Sequence, residues 1–223
     1  MSSKDNYNLL LEKLDQFTRK YYTNQIIRGA LFTTGSVLIL FLAYNLLESE
    51  FYFSKEIRKA LFYSFIAFTG IASAIWILTP LMHYFKLGKI ISYEQAARII
   101  GDHFRDVQDK LLNVLQLRSQ YSDAETAGLI EASIQQKSSQ IQLVPFKNAI
   151  DLTKNKKHLR FALPPLLLLL ALLVGAPSLI KDSAKRIIQN DQDFEKAAPF
   201  HFKLKNEKPS VVQFDNFTLD MEI

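Results

Sequence analysis

Three runs of this chain carry no Asp, Glu, Lys or Arg: 29–47, 60–85 and 161–180. His83 is the one side chain among them that could hold a charge. Each run reaches the roughly 20 residues that cross about 30 Å of hydrocarbon at 1.5 Å per residue. A buried helix of a soluble core needs no such length. The third run, within "RFALPPLLLLLALLVGAP" at 160–177, is the most apolar, with nine Leu between Phe161 and Ile180. Near the centre of a span those leucines alone favour insertion by roughly 3–5 kcal/mol. Pro164 and Pro165 are expected in the first turn of that helix, where a missing N–H costs little. Gly175 and Pro177 weaken its far end.

The first run is not a signal peptide. It starts deep in the chain, is longer than an h-region and lacks a small-residue cleavage site behind it. The sequence therefore predicts a mainly α membrane protein with three transmembrane helices, at 25–48, 60–86 and 160–180.

Lysine and arginine set the expected orientation. The segment before the first span and the long segment between the second and third together hold seventeen of them. The short loop and the tail after Ile180 together hold ten. The positive-inside rule then puts the N-terminus and the middle segment in the cytoplasm and the tail in the periplasm of a multi-pass inner-membrane protein. Lys181, Lys185 and Arg186 run against that rule.

The pieces between the spans have their own periodicities. Leu10, Leu14, Phe17 and Tyr21 recur at helical spacing, which predicts an amphipathic helix within 1–24. It serves either as a partner-docking element or as a helix packed on the protein's own cytoplasmic domain. That domain is expected over 87–159 as three short helices. "SYEQ" forms a capping box from Ser92 to Gln95. Asp106 opens a second helix with Val107, Leu111, Val114 and Leu115 inward. Ser122 opens a third, with Ala127, Ile130, Ile134 and Ile141 on one face, ended by Pro145. A core this small is marginal alone. In the tail, 181–223, a short polar helix is followed by a change of period. Phe200, Phe202 and Leu204 alternate with polar residues, as do Phe217, Leu219, Met221 and Ile223. These read as β-strands with one buried face. Two or three strands are too few for a stable domain. The expectation is the start of a periplasmic, sandwich-like β domain in a longer protein.

Chemistry is sparsely signalled. There is no cysteine, which excludes disulfides and thiolate sites. Four His lie far apart, so no metal site is expected. "GALFTTGS" lacks the lysine of a phosphate loop and "LGKIIS" lacks its first glycine. No nucleophile-elbow, zinc-protease or calcium-loop pattern is present. No catalytic residue, cofactor or nucleic-acid partner is predicted.

Three groups are candidate interaction sites. Ser64, Ala67, Gly70 and Ala74 are small residues that let another helix approach the second span, whether internal or from another subunit. His103, Asp106, Asp109 and Asn113 form a polar surface that either meets a partner or is simply a solvated face. Lys154, Lys156, Lys157 and Arg160 stand before the third span, where they contact lipid headgroups or act only as a topology signal. Ionisable residues, which mark ion and substrate paths, are absent from the span interiors.

The ordered segments "LLEKLDQFTRKYYTNQIIRGAL", "PLMHYFKLGKIISYEQAARIIGDHF", "DKLLNVLQL", "LIEASIQQKSSQI", "VPFKNAIDL" and "RFALPPLLLLLALLVGAPSLI" cover most of the chain. Together they resemble the N-terminal region of Bacteroidota inner-membrane proteins of domain of unknown function family 4175. The resemblance implies three spans near the start of a protein with a long periplasmic part, and no assigned activity. The expected function is a non-enzymatic scaffold or accessory subunit of an envelope complex for protein export, surface assembly or quality control. Membrane lipids and other envelope proteins would be its partners in a hetero-oligomer. The alternatives are a transporter or channel subunit, and an enzyme whose active site lies beyond residue 223.

Overall fold

A computed structural model describes residues 3–119, 133, 136–138, 141, 143–194, 203–204 and 221–222. The first 51 positions hold no proline, and the first glycine is Gly29. Nothing in that stretch breaks a helix. It forms one helix, α1 (Ser3–Phe51), of 49 residues. At 1.5 Å per residue α1 is about 73 Å long, more than twice the roughly 30 Å of a bilayer's hydrocarbon. The amphipathic helix and first span expected as two elements are thus one continuous rod.

The second apolar segment is α2 (Lys55–Ser73), a π-helical turn (Ala74–Leu78) and α3 (Thr79–Tyr84) in unbroken succession. The widened turn has a local cause. The Thr79 N–H and hydroxyl both donate to the Ala74 carbonyl, the hydroxyl at 2.8 Å. Pro80 follows and has no N–H to offer the Trp76 carbonyl four residues back.

The third segment enters through two 3₁₀ turns, Phe146–Ala149 and Leu152–His158. It continues as α6 (Leu159–Gly175) and, after a break at Ala176, as α7 (Pro177–Ile188). Because α6 starts at Leu159, Pro164 and Pro165 lie inside it and not in its first turn, which corrects the sequence expectation. The helix tolerates them because neighbouring helices in a bundle can serve the carbonyls they leave free. Among the described residues, three helices are long and apolar enough to cross a membrane.

The axis of the bundle is α1. It packs on α2, α3, α6 and α7 in turn. Two glycines bring backbones together. A Cβ on Gly29 would overlap the Trp76 carbonyl, and one on Gly35 would stand 2.6 Å from the Phe161 oxygen. Phe161 is four residues before Pro165, so both approached carbonyls are ones that a proline fails to bond. Between the glycines, the Phe32 ring meets Trp76, His158 and Phe161 at 6.1, 5.0 and 5.4 Å.

The N-terminal part of α1 leaves the bundle and enters a small helical domain with α4 (Tyr93–His103) and α5 (Arg105–Ser119). The capping box is formed as the sequence implies, with Gln95 N–H on Ser92 Oγ at 3.2 Å and Ser92 N–H on Gln95 Oε1 at 3.1 Å. Leu10, Leu14 and Phe17 are fully buried against Ile100, Leu111, Val114, Ile141 and Phe146. The amphipathic face of α1 therefore packs on the chain's own domain. The helix expected from Ser122 through Ala127, Ile130 and Ile134 lies outside the described residues.

At the other end, Lys203–Leu204 and Met221–Glu222 pair antiparallel, with Leu204 opposite Met221. Both of these residues belong to the apolar alternation read from the sequence. The described residues carry the expected β domain no further than this two-residue ladder.

Candidate functional site

The most concentrated polar chemistry lies where α1 ends. Glu48, Arg58 at the start of α2 and Arg186 near the end of α7 are all buried, at 0%, 2% and 8% exposure. Glu48 Oε1 accepts from Arg58 Nε at 3.1 Å and from Arg186 Nε at 2.9 Å. Glu48 Oε2 accepts the Phe53 N–H at 3.2 Å, which ties the α1–α2 turn to the same carboxylate. The guanidinium groups have further partners. Arg58 Nη1 donates to the Gln192 carbonyl at 3.2 Å, and Arg186 Nη2 to Ser183 Oγ at 3.3 Å. Arg186 also lies over the Tyr52 ring at 4.3 Å, and Arg58 over the Phe194 ring at 5.1 Å.

Local structure prepares this arrangement. Tyr52 takes a left-handed φ of 48°, which reverses the chain after α1 and leaves its ring beneath Arg186. Such a φ costs a side-chain residue of order 1 kcal/mol. In α7, Ile180, Ser183, Arg186 and Ile187 share the buried face. A salt bridge from Lys55 to Asp193 at 2.7 Å flanks the site at its exposed rim. One carboxylate thus faces two guanidinium groups where water is excluded. Removing it would leave two buried cations with no counter-charge. The arrangement joins three elements, α1, α2 and α7. One turn deeper, an apolar hollow of about 260 Å³ opens between Phe41, Phe62, Phe65 and Ile187.

The sequence-predicted sites fall elsewhere. Ser64, Ala67, Gly70 and Ala74 are exposed on the outward side of the second segment. A Cβ on Gly70 would meet nothing within 4 Å. The close backbone approach to α1 is made at Gly29 and Gly35 instead. Ser64 does reach Tyr44, oxygen to oxygen at 3.1 Å.

His103, Asp106, Asp109 and Asn113 are all exposed, with Asp106, Asp109 and Asn113 on the side of α5 away from Val107, Leu111 and Val114. His103 and Asp106 line one open hollow together with Arg105 and Lys110, whereas Asp109 and Asn113 do not. Among the described residues no group of His, Asp and Glu could hold a metal ion.

Lys154, Lys156, Lys157 and Arg160 are exposed in the 3₁₀ turn and first turn of α6. Arg28 of α1 adds a fifth cation here; with Lys157 and Arg160 it acts electrostatically on His158.

Sequence reasoning missed Glu48, Arg58 and Arg186 as a group. Glu48 and Arg58 stand at the edges of apolar runs and read as ordinary boundary charges, and Arg186 lies in the polar stretch that follows the third run. The detectable signal was Glu48, an acid placed directly at the end of a span, and Arg186, one of the basic residues that ran against the expected orientation.

No protein-family model, no curated protein and no solved structure matches this chain.

Proposed function

We propose that the chain is a non-enzymatic scaffold or accessory subunit of a cell-envelope complex, serving protein export, surface assembly or quality control. It sits in a bacterial inner membrane with its small helical domain in the cytoplasm and the segment after α7 in the periplasm. The observation that carries this reading is the continuity of α1. One unbroken helix runs from Leu10, in the core of the small domain, to Glu48, bound by Arg58 and Arg186. A rod held at both ends relates the position of one domain to the other, which a simple anchor does not do.

The orientation draws support from charge. Seventeen of the chain's Lys and Arg lie on the small domain's side of the spans and ten on the other, Lys59, Lys181 and Lys185 among them. The cations beside the small domain, Arg28, Lys154, Lys156, Lys157 and Arg160, have no carboxylate within 4.0 Å among the described residues. Free basic charge of this kind stays on the cytoplasmic side. The family resemblance supports the bacterial inner membrane.

Affinity purification of the full chain in mild detergent, with and without crosslinker, is expected to bring down envelope proteins in fixed ratio. A lone, monodisperse chain under both conditions would overturn the reading. A transporter subunit would need its charged lining from a partner. Solute movement by the isolated chain in liposomes would put that alternative first. Since the chain has no cysteine, orientation is open to single-cysteine labelling. In intact cells an impermeant thiol reagent is expected to modify Asp191→Cys and to spare Asp109→Cys.

A further inference from the structure

Beside the cationic belt, an open groove of about 370 Å³ runs between α1 and the 3₁₀ turn before α6. Its walls are almost wholly apolar, from Ile27, Leu31, Leu152 and Leu159, and the exposed Lys156 lines it with them. Asn155 also lines it but is engaged, donating to Asn24 Oδ1 at 2.6 Å.

The depth of the groove follows from the sequence. Ile27 and Leu31 flank the start of the first uncharged run, and Leu159 stands two residues before the third. In a bilayer the groove therefore straddles the boundary between headgroups and hydrocarbon. Charge around it is mainly positive: Lys156, Lys157, Lys154, Arg160 and Arg28 have no carboxylate within 4.0 Å among the described residues, and one carboxylate, Asp151, held by Thr153 at the groove's rim, acts electrostatically on Lys154. An apolar slot at the hydrocarbon edge beneath a rim of net positive charge matches one ligand chemistry in both its halves: an acyl chain joined to a phosphate.

We infer that this groove is a binding site for an anionic phospholipid, with an acyl chain between Ile27, Leu31 and Leu159 and the phosphate on Lys156. The inference needs only that the helices span a bilayer, and it stands or falls apart from the scaffold role. A general basic belt would attract anionic lipid without selecting or retaining a molecule. A shaped groove under the same belt retains one.

Native mass spectrometry of the full chain, purified in mild detergent and mixed with equal phosphatidylglycerol and phosphatidylethanolamine, tests this. One phosphatidylglycerol per chain is expected to remain bound in preference to phosphatidylethanolamine. Lys156→Gln is expected to weaken retention about fivefold, the worth of one cation near a membrane surface. Leu159→Trp and, independently, Ile27→Trp fill the groove without touching a charge and are expected to abolish retention. Circular dichroism checks that both variants stay helical. Lys181→Gln, an exposed cation on α7, is expected to change nothing. Equal retention of the two lipids would overturn the site. So would groove-filled variants that hold phosphatidylglycerol as wild type does, since a belt alone would then suffice. A retained polypeptide in place of lipid would overturn it as well.

Discussion

Gly29 of α1 lies directly against the carbonyl of Trp76, with no room for a Cβ between them. Pro80 is the reason that carbonyl is available, since residue 80 has no N–H to bond it. Gly35 repeats the relationship with Phe161 and Pro165. In each pair a proline frees a carbonyl on one helix and a glycine on α1 closes over it. Close backbone contact of this kind, with Cα–H groups facing oxygen, is a recurrent means of joining helices in membranes.

Gly29→Ala and Gly35→Ala are accordingly expected to destabilise the bundle by about 1–3 kcal/mol each, the usual range for overpacking. Gly29→Ala should be the worse, because its obstacle is nearer. Gly70→Ala, at an open position, should be neutral. Thermal unfolding in detergent micelles gives the ranking; a Gly70 variant as unstable as the Gly29 variant would contradict it.

Glu48→Ala should cost about 3–5 kcal/mol, because it strands two buried guanidinium groups. Arg186→Met should cost less, since Arg58 still pairs with the carboxylate. Replacing Glu48, Arg58 and Arg186 together by apolar residues should recover much of the loss. The comparison uses steric-trap or denaturant unfolding of the four proteins. A triple variant no more stable than Glu48→Ala would contradict this account of the cluster.

Phe17 is fully buried in the small domain's core although it sits on the helix that crosses the bundle. Phe17→Ala is expected to cost about 3–5 kcal/mol. The damage should be local. Hydrogen exchange should rise across α4 and α5 and stay unchanged in α2 and α6. Uniform acceleration along the chain would mean that the two parts unfold as one.

Partial burial, the nearby Asp15 charge and a hydrogen bond to Asp15 Oδ1 at 3.2 Å raise the Tyr93 phenol above its usual value of 10.0. The folded chain then keeps its proton where the unfolded chain has lost it. This contribution to stability is complete below pH 10.0 and is lost as pH rises through the higher folded value. Tyr93→Phe should therefore flatten the decline of stability in that alkaline window, as followed by circular dichroism. An unchanged slope would show that Asp15 acts on another group, such as Lys86, its ion-pair partner at 2.7 Å.

Much of the fold is legible in the sequence. The spans, the Ser92–Gln95 capping box and the inward residues of α5 are local patterns, because spacing along a helix decides which side chains share a face. The outward position of Gly70 and Ala74 was not visible. Small residues permit close packing on any side, and nothing in the spacing says which side the neighbour takes.

Amino-acid order by itself determined three membrane-length helices, a small helical domain between the second and third, and the polarity of charge across them. These follow from apolar length, helical periodicity and the placement of Lys and Arg. Only the tertiary structure decided that α1 is one rod, that Gly29 and Gly35 are its contact points, and that Glu48 receives Arg58 and Arg186. Glu48 and Arg186 are 138 positions apart in the chain. A pairing across that distance depends on how whole helices pack, and no local pattern records it.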